Sequence, residues 1–282
     1  MKLNEILLIA IALAVFFVSS AAAVEIPNPG IINDSEPFVI NDGETLWIRP
    51  GDSLEIFTAT VVVDNGGTFI NEGDSLKVLH SRFSVKSNGT FVNKGNLVKA
   101  DASEITFEKN STVINEGSLN FDPSLIQNYA HINNSGSISV NDFAILNNYG
   151  TIYNTGTLSF VGSVFNHGLI ETSGQMSILP LYYFENTETG IIENSGTISL
   201  DEYIMNNGII NNYGAIGGYA QIIYNNGAIN CYLGSTLADE VTVEGNPIQW
   251  VNPDGGEIPE FPTIALPVIA IIGLALFFKR RE

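Results

Sequence analysis

Glycine and asparagine recur along this chain with a period of about twenty residues, and a period of that length restricts the fold to a stack of short repeated units. A first turn position falls at Gly67, Gly89, Ser111, Ala130, Gly150, Gly168, Gly190, Gly208 and Gly227. A second follows six residues later at Gly73, Gly95, Gly117, Gly136, Gly156, Gly174, Gly196 and Gly214, slipping by one to Gly234 in the last copy. The steps between first positions are 22, 22, 19, 20, 18, 22, 18 and 19 residues. Two residues after each first position stands an unbroken apolar column: Phe69, Phe91, Val113, Ile132, Ile152, Ile170, Ile192, Ile210 and Ile229. Short alternating runs of apolar and polar residues, broken by Gly and Asn, are strand and turn signals rather than helix signals.

A unit of this length cannot bury its own face, so the units must stack as parallel strands about 4.8 Å apart. The expected fold is therefore all-β: a single-stranded parallel β-helix, or β-solenoid, of about ten rungs of 18–22 residues, running from about Pro37 to about Gly245. Four residues after the first turn position come Asn71, Asn93, Asn115, Asn134, Asn154, Thr172, Asn194, Asn212 and Cys231. Asn tolerates left-handed backbone at a turn, and its amide can bond the same amide one rung away, so these asparagines read as a structural ladder. Four residues before the turn position a mostly apolar column is expected: Val63, Val85, Phe107, Ile126, Leu146, Val164, Asn186, Ile204 and Ile223. A further rung lies upstream, where Gly51 to Phe57 matches Gly73 to Leu79 at a step of 22; this places Trp47 in the apolar column and Arg49 at the Asn position. Asp64, Lys86 and Glu108, and likewise Glu72, Lys94 and Glu116, are spaced by 22, which sets each lysine between two carboxylates of neighbouring rungs.

Both ends read as addresses. Residues 1–23 hold one positive charge at Lys2, an apolar run from Ile6 to Val18, and small residues ending in Ala21 and Ala23. That order is a secretory signal peptide with cleavage before Val24. Residues 24–244 then form the ectodomain, with an N-terminal cap over about 24–44, and residues 245–263 a Pro/Gly-rich spacer. Residues 264–278 are apolar, and Lys279, Arg280 and Arg281 follow in a basic tail of residues 279–282. Fifteen residues make a short span, about 22 Å as helix against a hydrocarbon core of about 30 Å. Positive charge stays cytoplasmic, which puts the ectodomain outside the cell.

Just before that span stand Pro259, Glu260, Phe261 and Pro262, and the whole string PEFPTIALPVIAIIGLALFFKRRE resembles the PEF-CTERM protein-sorting signal of archaeal surface proteins. The resemblance implies processing by an archaeosortase, a membrane transpeptidase with its own cysteine nucleophile. It further implies removal of the tail near Pro259 to Pro262 and joining of the chain to a lipid or another envelope component.

Charge narrows the partners. The chain carries 30 acidic and 11 basic residues, a formal net charge of −19, which excludes nucleic acid as a natural partner. From Asn110 to Phe278 there is no Lys or Arg, against 15 Asp and Glu. An acidic exterior of this kind repels anionic polymers and keeps a surface rod soluble. With 45% hydrophobic residues the chain can build a core, and with one cysteine it has no internal disulfide.

The catalytic candidates are Glu171 and Glu193, both three residues after a turn position on consecutive rungs and so about 5 Å apart, near the separation used by retaining glycosidases. Their neighbours Tyr153 and Asn211 supply no cation, which favours a non-enzymatic chain over a glycosidase or lyase. A weak calcium site at the same pair is a further alternative. His80, His131 and His167 sit at unlike offsets, so neither a metal set nor a triad is visible, and no cofactor is expected. Cys231 reads as a packed residue in the Asn column, with an intermolecular disulfide as the alternative. Asn33, Asn88, Asn110 and Asn133 begin Asn-x-Ser/Thr sequons and are candidate glycan acceptors on an exported chain. Tyr129, Tyr149, Tyr153, Tyr213 and Tyr232 lie near turns, where they either stack on sugars or cover the rod. The expectation for function is an anchored cell-surface protein, structural or adhesive, whose partners are the processing transpeptidase, the membrane and an envelope glycan or protein; the alternative is a secreted carbohydrate-active β-helix enzyme.

Overall fold

The computed structural model describes residues 23–24, 30–95, 98–179, 183–219 and 221–252. They form three parallel sheets that wind around one core. The first has 12 strands, and the second and third have 11 each. The chain visits them in rotation: Thr68–Asn71 lies on the first sheet, Ser75–Leu79 on the second, Arg82–Val85 on the third, and Thr90–Asn93 returns to the first. This is the expected parallel β-solenoid, with about eleven turns instead of ten. The added length lies at both ends. Ala23–Val24 pairs with Thr45 and Leu46, and Gln249–Val251, inside the stretch read as spacer, pairs with Asn230 to Tyr232.

Most strands are four residues long with the second and fourth side chains buried and the first and third outside. Four residues is as much as one side of such a small triangle needs, and the period of two along a strand turns alternate side chains inward. The apolar column stacks as read from the sequence: Phe69 faces Phe91, then Val113, Ile132 and Ile152 follow in register. Phe69, Phe83 and Phe91 meet at centroid distances of 5.2–5.7 Å and fill the lower core between the first and third sheets.

The Asn ladder is present and its asparagines are buried. Each Nδ2 donates to the Oδ1 of the next rung: Asn71 to Asn93, Asn93 to Asn115 and Asn115 to Asn134 at 2.7 Å, and Asn134 to Asn154 at 2.6 Å. Thr172 continues the run by accepting from Asn154 at 3.0 Å, and Asn194 donates to Asn212 at 2.7 Å. These residues end strands rather than occupy turns, and none has the left-handed backbone expected of them.

Two expected columns need correction, and both slips come from corner length. At the upstream rung Leu46, not Trp47, enters the apolar column, and Ile48, not Arg49, replaces the column Asn. The corner from Ile48 to Ser53 holds one residue more than the corner from Asn71 to Ser75. A slip of one residue exchanges inside for outside, so Trp47 is exposed and donates through Nε1 to Glu72 at 3.1 Å.

The second correction concerns the column that precedes the first sheet. Val63, Val85 and Phe107 do stack, but Phe107 is followed by Asn128, Asn148, Asn166, Asn186, Asn206 and Asn225 rather than by Ile126 and Leu146, which stack above Ile105 instead. Below this point the corner is four residues long and closes its own turn, with Gly67 N donating to Asp64 O and Gly89 N to Lys86 O. Above it the corner mostly shrinks to two residues, as at Tyr129 and Ala130, too short for such a turn. Asn128 then supplies the missing partner, its Oδ1 accepting from Ala130 N at 3.0 Å. The result is a second buried amide ladder, bonded from Asn128 through Asn225 at 2.7–2.8 Å.

The remaining corner uses hydroxyls. Ala59 N, Ser81 N and Ser103 N donate to Ser81, Ser103 and Ser124 Oγ of the rung above at 3.1–3.2 Å. Glycine is required where corners of successive rungs touch. A Cβ on Gly156 would lie 2.1 Å from Gly136 O, a distance no side chain tolerates.

Candidate functional site

The first sheet brings Glu171 and Glu193 together as direct cross-strand neighbours on its outer surface. Tyr153 lies below Glu171 and Asn211 above Glu193. Asn211 Nδ2 donates to Glu193 Oε1 at 2.7 Å, and Asn230 Nδ2 donates to Asn211 Oδ1 at 2.8 Å, so the upper carboxylate is tied into a surface ladder. Both glutamates are half-buried on the outer face of the sheet. The pairing foreseen from the sequence is therefore present, with an amide as the polar group bonded to it.

The three histidines lie apart. His80 occupies a corner with φ of 51° and meets the Phe57 ring edge-on. His131 stacks on Tyr153, and His167 stacks on Tyr149 at 4.5 Å while its Nδ1 bonds the Thr187 hydroxyl at 3.1 Å. Among the described residues no group of three His, Cys, Asp or Glu is placed to hold a metal ion. Cys231 is fully buried at the top of the first Asn ladder, where Asn212 Nδ2 approaches its Sγ at 4.0 Å. Burial pushes its thiol pKa up, which leaves it unsuited to bridging a second chain without opening of the last rungs.

Of the sequons, Asn33, Asn88 and Asn110 are exposed, whereas Asn133 is half-buried on the first sheet between Ile114 and Tyr153. Asn88 and Asn110 occupy the same corner of consecutive rungs with φ of 59° and 66°. Asn88 Nδ2 donates to Asn65 Oδ1 at 3.1 Å.

The tyrosines near turns cover the rod by stacking on each other. Tyr129, Tyr149 and His167 form a column with interplanar angles of 5–6°, and Tyr213 stacks on Tyr232 at 4.1 Å. The Tyr213 hydroxyl is pushed up to about 12 by its hydrogen bond with Tyr232, with burial and the Glu193 charge adding to it.

Ion pairs bind neighbouring rungs in the lower half of the rod. Lys86 pairs with Glu108, Lys94 with Glu72 at 3.2 Å, Arg82 with Glu104 at 3.1 Å and Lys99 with Asp122 at 2.9 Å. The alternation of charge read from the sequence thus reports the true register, each lysine of the two triplets bonding a carboxylate one rung away.

One surface was not marked by the repeat. On the third sheet Phe165, Glu185, Met205 and Tyr224 stack in one outward column, and Tyr183 and Tyr203, just before the strands of the two middle rungs, stand beside it, so four consecutive rungs each carry one aromatic ring. Phe165 and Tyr183 meet at 5.6 Å and 43°, and Tyr203 and Tyr224 at 5.9 Å and 67°. Their spacings of 18, 20 and 21 residues depart from the rung steps of 20, 20 and 19 between Phe165, Glu185, Met205 and Tyr224, and their offsets from the turn glycines differ, which hides the rings in a glycine-aligned reading.

Ala23 opens the first described strand, whereas Ala21, Pro259, Glu260, Phe261, Pro262, Lys279, Arg280 and Arg281, together with the span of residues 264–278, lie outside the described residues. Among the described residues no helix is long and apolar enough to cross a membrane. Residues 258–282 match the PEF-CTERM archaeal protein sorting domain. No curated protein and no solved structure matches the chain.

Proposed function

We propose, from the PEF-CTERM archaeal protein sorting domain at residues 258–282, that this chain is an exported surface protein whose β-solenoid stands outside the cell as a structural or adhesive rod. The observation that carries the reading is the coupling of that sorting domain to a rod of about eleven turns. At about 4.8 Å per rung the rod is about 53 Å long. In this reading residues 1–23 direct export, an archaeosortase cuts near Pro259 to Pro262, and the basic tail from Lys279 to Arg281 holds the orientation during processing. The test is the intact mass of the protein from its native envelope. A mass lacking residues 1–23 and the tail beyond about Pro259 supports the reading; a soluble protein found only in the medium refutes it.

A carbohydrate-cleaving reading rests on the Glu171 and Glu193 pair. It requires reducing ends to appear from a glycan panel and to vanish with Glu193→Gln.

A further inference from the structure

The outer face of the third sheet changes character halfway up the rod. On the lower rungs its outward positions hold Arg82, Ser84, Glu104 and Thr106, the first and third of these joined as an ion pair. On the upper rungs Phe165 and Tyr224 share one outward column with Glu185 and Met205 between them, and Tyr183 and Tyr203 stand two residues earlier in the column beside it, so each of four rungs carries one aromatic ring. The fold does not demand these rings, since the same positions below are polar. At a rung spacing of about 4.8 Å the four rings span about 14 Å along the rod axis, the middle two displaced sideways by two residues of strand, about 7 Å.

The rings differ from the stacked tyrosines at the corners. Tyr129, Tyr149 and His167 lie nearly parallel and consume each other's faces. In the row the neighbours meet tilted by 43° and 67°, and Tyr203 and Tyr224 remain 40% and 37% exposed. Tyr183 donates its hydroxyl to Met205 Sδ at 3.0 Å, which fixes that ring in the middle of the row. Beside the rings Glu185 is held by Asn207 Nδ2 at 2.6 Å, so a hydrogen-bond acceptor stands ready along an otherwise apolar strip.

We propose that this row binds a neutral linear polysaccharide lying along the rod axis. A pyranose ring has one face of C–H bonds and a rim of hydroxyls, and in an extended chain each sugar advances by a length close to one rung. Successive sugars then set their apolar faces on successive aromatic rings, the tyrosine tips and Glu185 meeting the hydroxyl rim. Charge selects the class of polymer. Residues 110–252 contain twelve Asp and Glu and no Lys or Arg, so anionic glycans, nucleic acid and anionic lipid surfaces are repelled. Rings that recur once per rung along the axis, within a strip two columns wide, suit a polymer with a similar repeat better than a compact protein epitope. The proposal deepens the surface reading and rests on it for its setting, while binding itself is a property of the folded chain.

The test is affinity electrophoresis of the full chain, purified in detergent, through gels containing β-glucan, xylan, galactomannan or dextran, with polygalacturonate as the anionic polymer. Retardation by at least one neutral polymer and none by polygalacturonate is expected. The double variant Tyr203→Ala, Tyr224→Ala raises the apparent Kd by about tenfold or more, from two stacking contacts of roughly 1 kcal/mol each. Tyr203→Phe with Tyr224→Phe retains binding, and Tyr149→Ala, in the stacked corner, leaves it unchanged. No retardation by any neutral polymer, or equal retardation of the double alanine variant with its β circular dichroism intact, overturns the proposal. So does a self-association in sedimentation that the double variant abolishes, which assigns the row to a second copy of the chain. The intact mass decides anchoring and this assay decides binding, so either can fail alone.

Discussion

Replacing Asn134 with alanine tests whether the buried amides hold the rod together. Asn134 is 2% exposed; it accepts from Asn115 Nδ2 at 2.7 Å and donates to Asn154 Oδ1 at 2.6 Å and Thr157 O at 3.0 Å. Truncation strands Asn154 Oδ1 without its donor in a dry interior, at about 1–3 kcal/mol, and removes two further bonds worth about 1 kcal/mol each. Asn115 Nδ2 keeps Ser137 O at 2.9 Å, which limits the damage below. The sum is about 3–5 kcal/mol, a large part of the roughly 5–15 kcal/mol that stabilises an ordinary domain. Asn133→Ala, one residue earlier and outward, is the control and costs about 0.5 kcal/mol or less. Asn134→Asp keeps the outline but turns the donor into an oxygen facing Asn154 Oδ1 and Thr157 O. That carboxyl must be protonated in the folded rod, so its folded pKa lies above the unfolded value of about 3.9. The folded state then binds the extra proton, and stability falls as pH rises from about 3.9 through the folded pKa. Urea unfolding followed by far-UV circular dichroism at acid and neutral pH measures both effects. An alanine variant within about 1 kcal/mol of the parent, or an aspartate variant no more sensitive to pH than the parent, refutes the reasoning.

Thr172 interrupts the first ladder, and every neighbour in its column has room for Asn; Thr172→Asn should add about 0.5–1.5 kcal/mol in the same urea assay. Gly156→Ala drives a Cβ to 2.1 Å from Gly136 O, so it should cost at least about 3 kcal/mol or split the unfolding transition in two. Cys231 should resist a thiol reagent in native buffer and react once in urea, because burial both hides the sulfur and pushes its pKa up. Burial alone would push the Asp122 carboxyl up, but hydrogen bonds from Asn141 and Lys99 and the lysine charge outweigh it and hold it below the usual range. Its contribution, no more than about 1 kcal/mol at the surface, is present above pH 4 or so and lost as pH falls through the folded pKa. Asp122→Asn should flatten that acid limb of a stability-against-pH curve.

The rungs were legible because the first sheet keeps one length and one pattern throughout. Phe69 to Ile229 and Asn71 to Asn212 stand at constant distance from the turn glycines, so their columns are read without error. Errors begin where corners change length. Two residues lost between Phe107 and His131 slide Asn128 into the place of Phe107 and conceal the second ladder. One residue gained between Ile48 and Ser53 puts Trp47 outside. The Glu171 and Glu193 pair lies on the regular sheet and was found. The aromatic row lies on the third sheet, entered through a corner that varies from two residues after Phe160 to five after Ile178, and no fixed offset reveals it.

In every sheet and both amide ladders the hydrogen bonds point along the rod axis, and that direction decides how the molecule meets a pull. Tension between a ligand on Phe165 to Tyr224 and an anchor beyond residue 252 is carried in series by the last few rungs alone. A rung that yields frees about twenty residues, roughly 70 Å of slack, and leaves the next rung whole as a new end. Everything before Phe165, including the ion pairs and the exposed sequons, hangs outside the line of force. The rod therefore lengthens in discrete steps from its anchored end while its far half stays folded, behaving as a shock absorber with a protected tip.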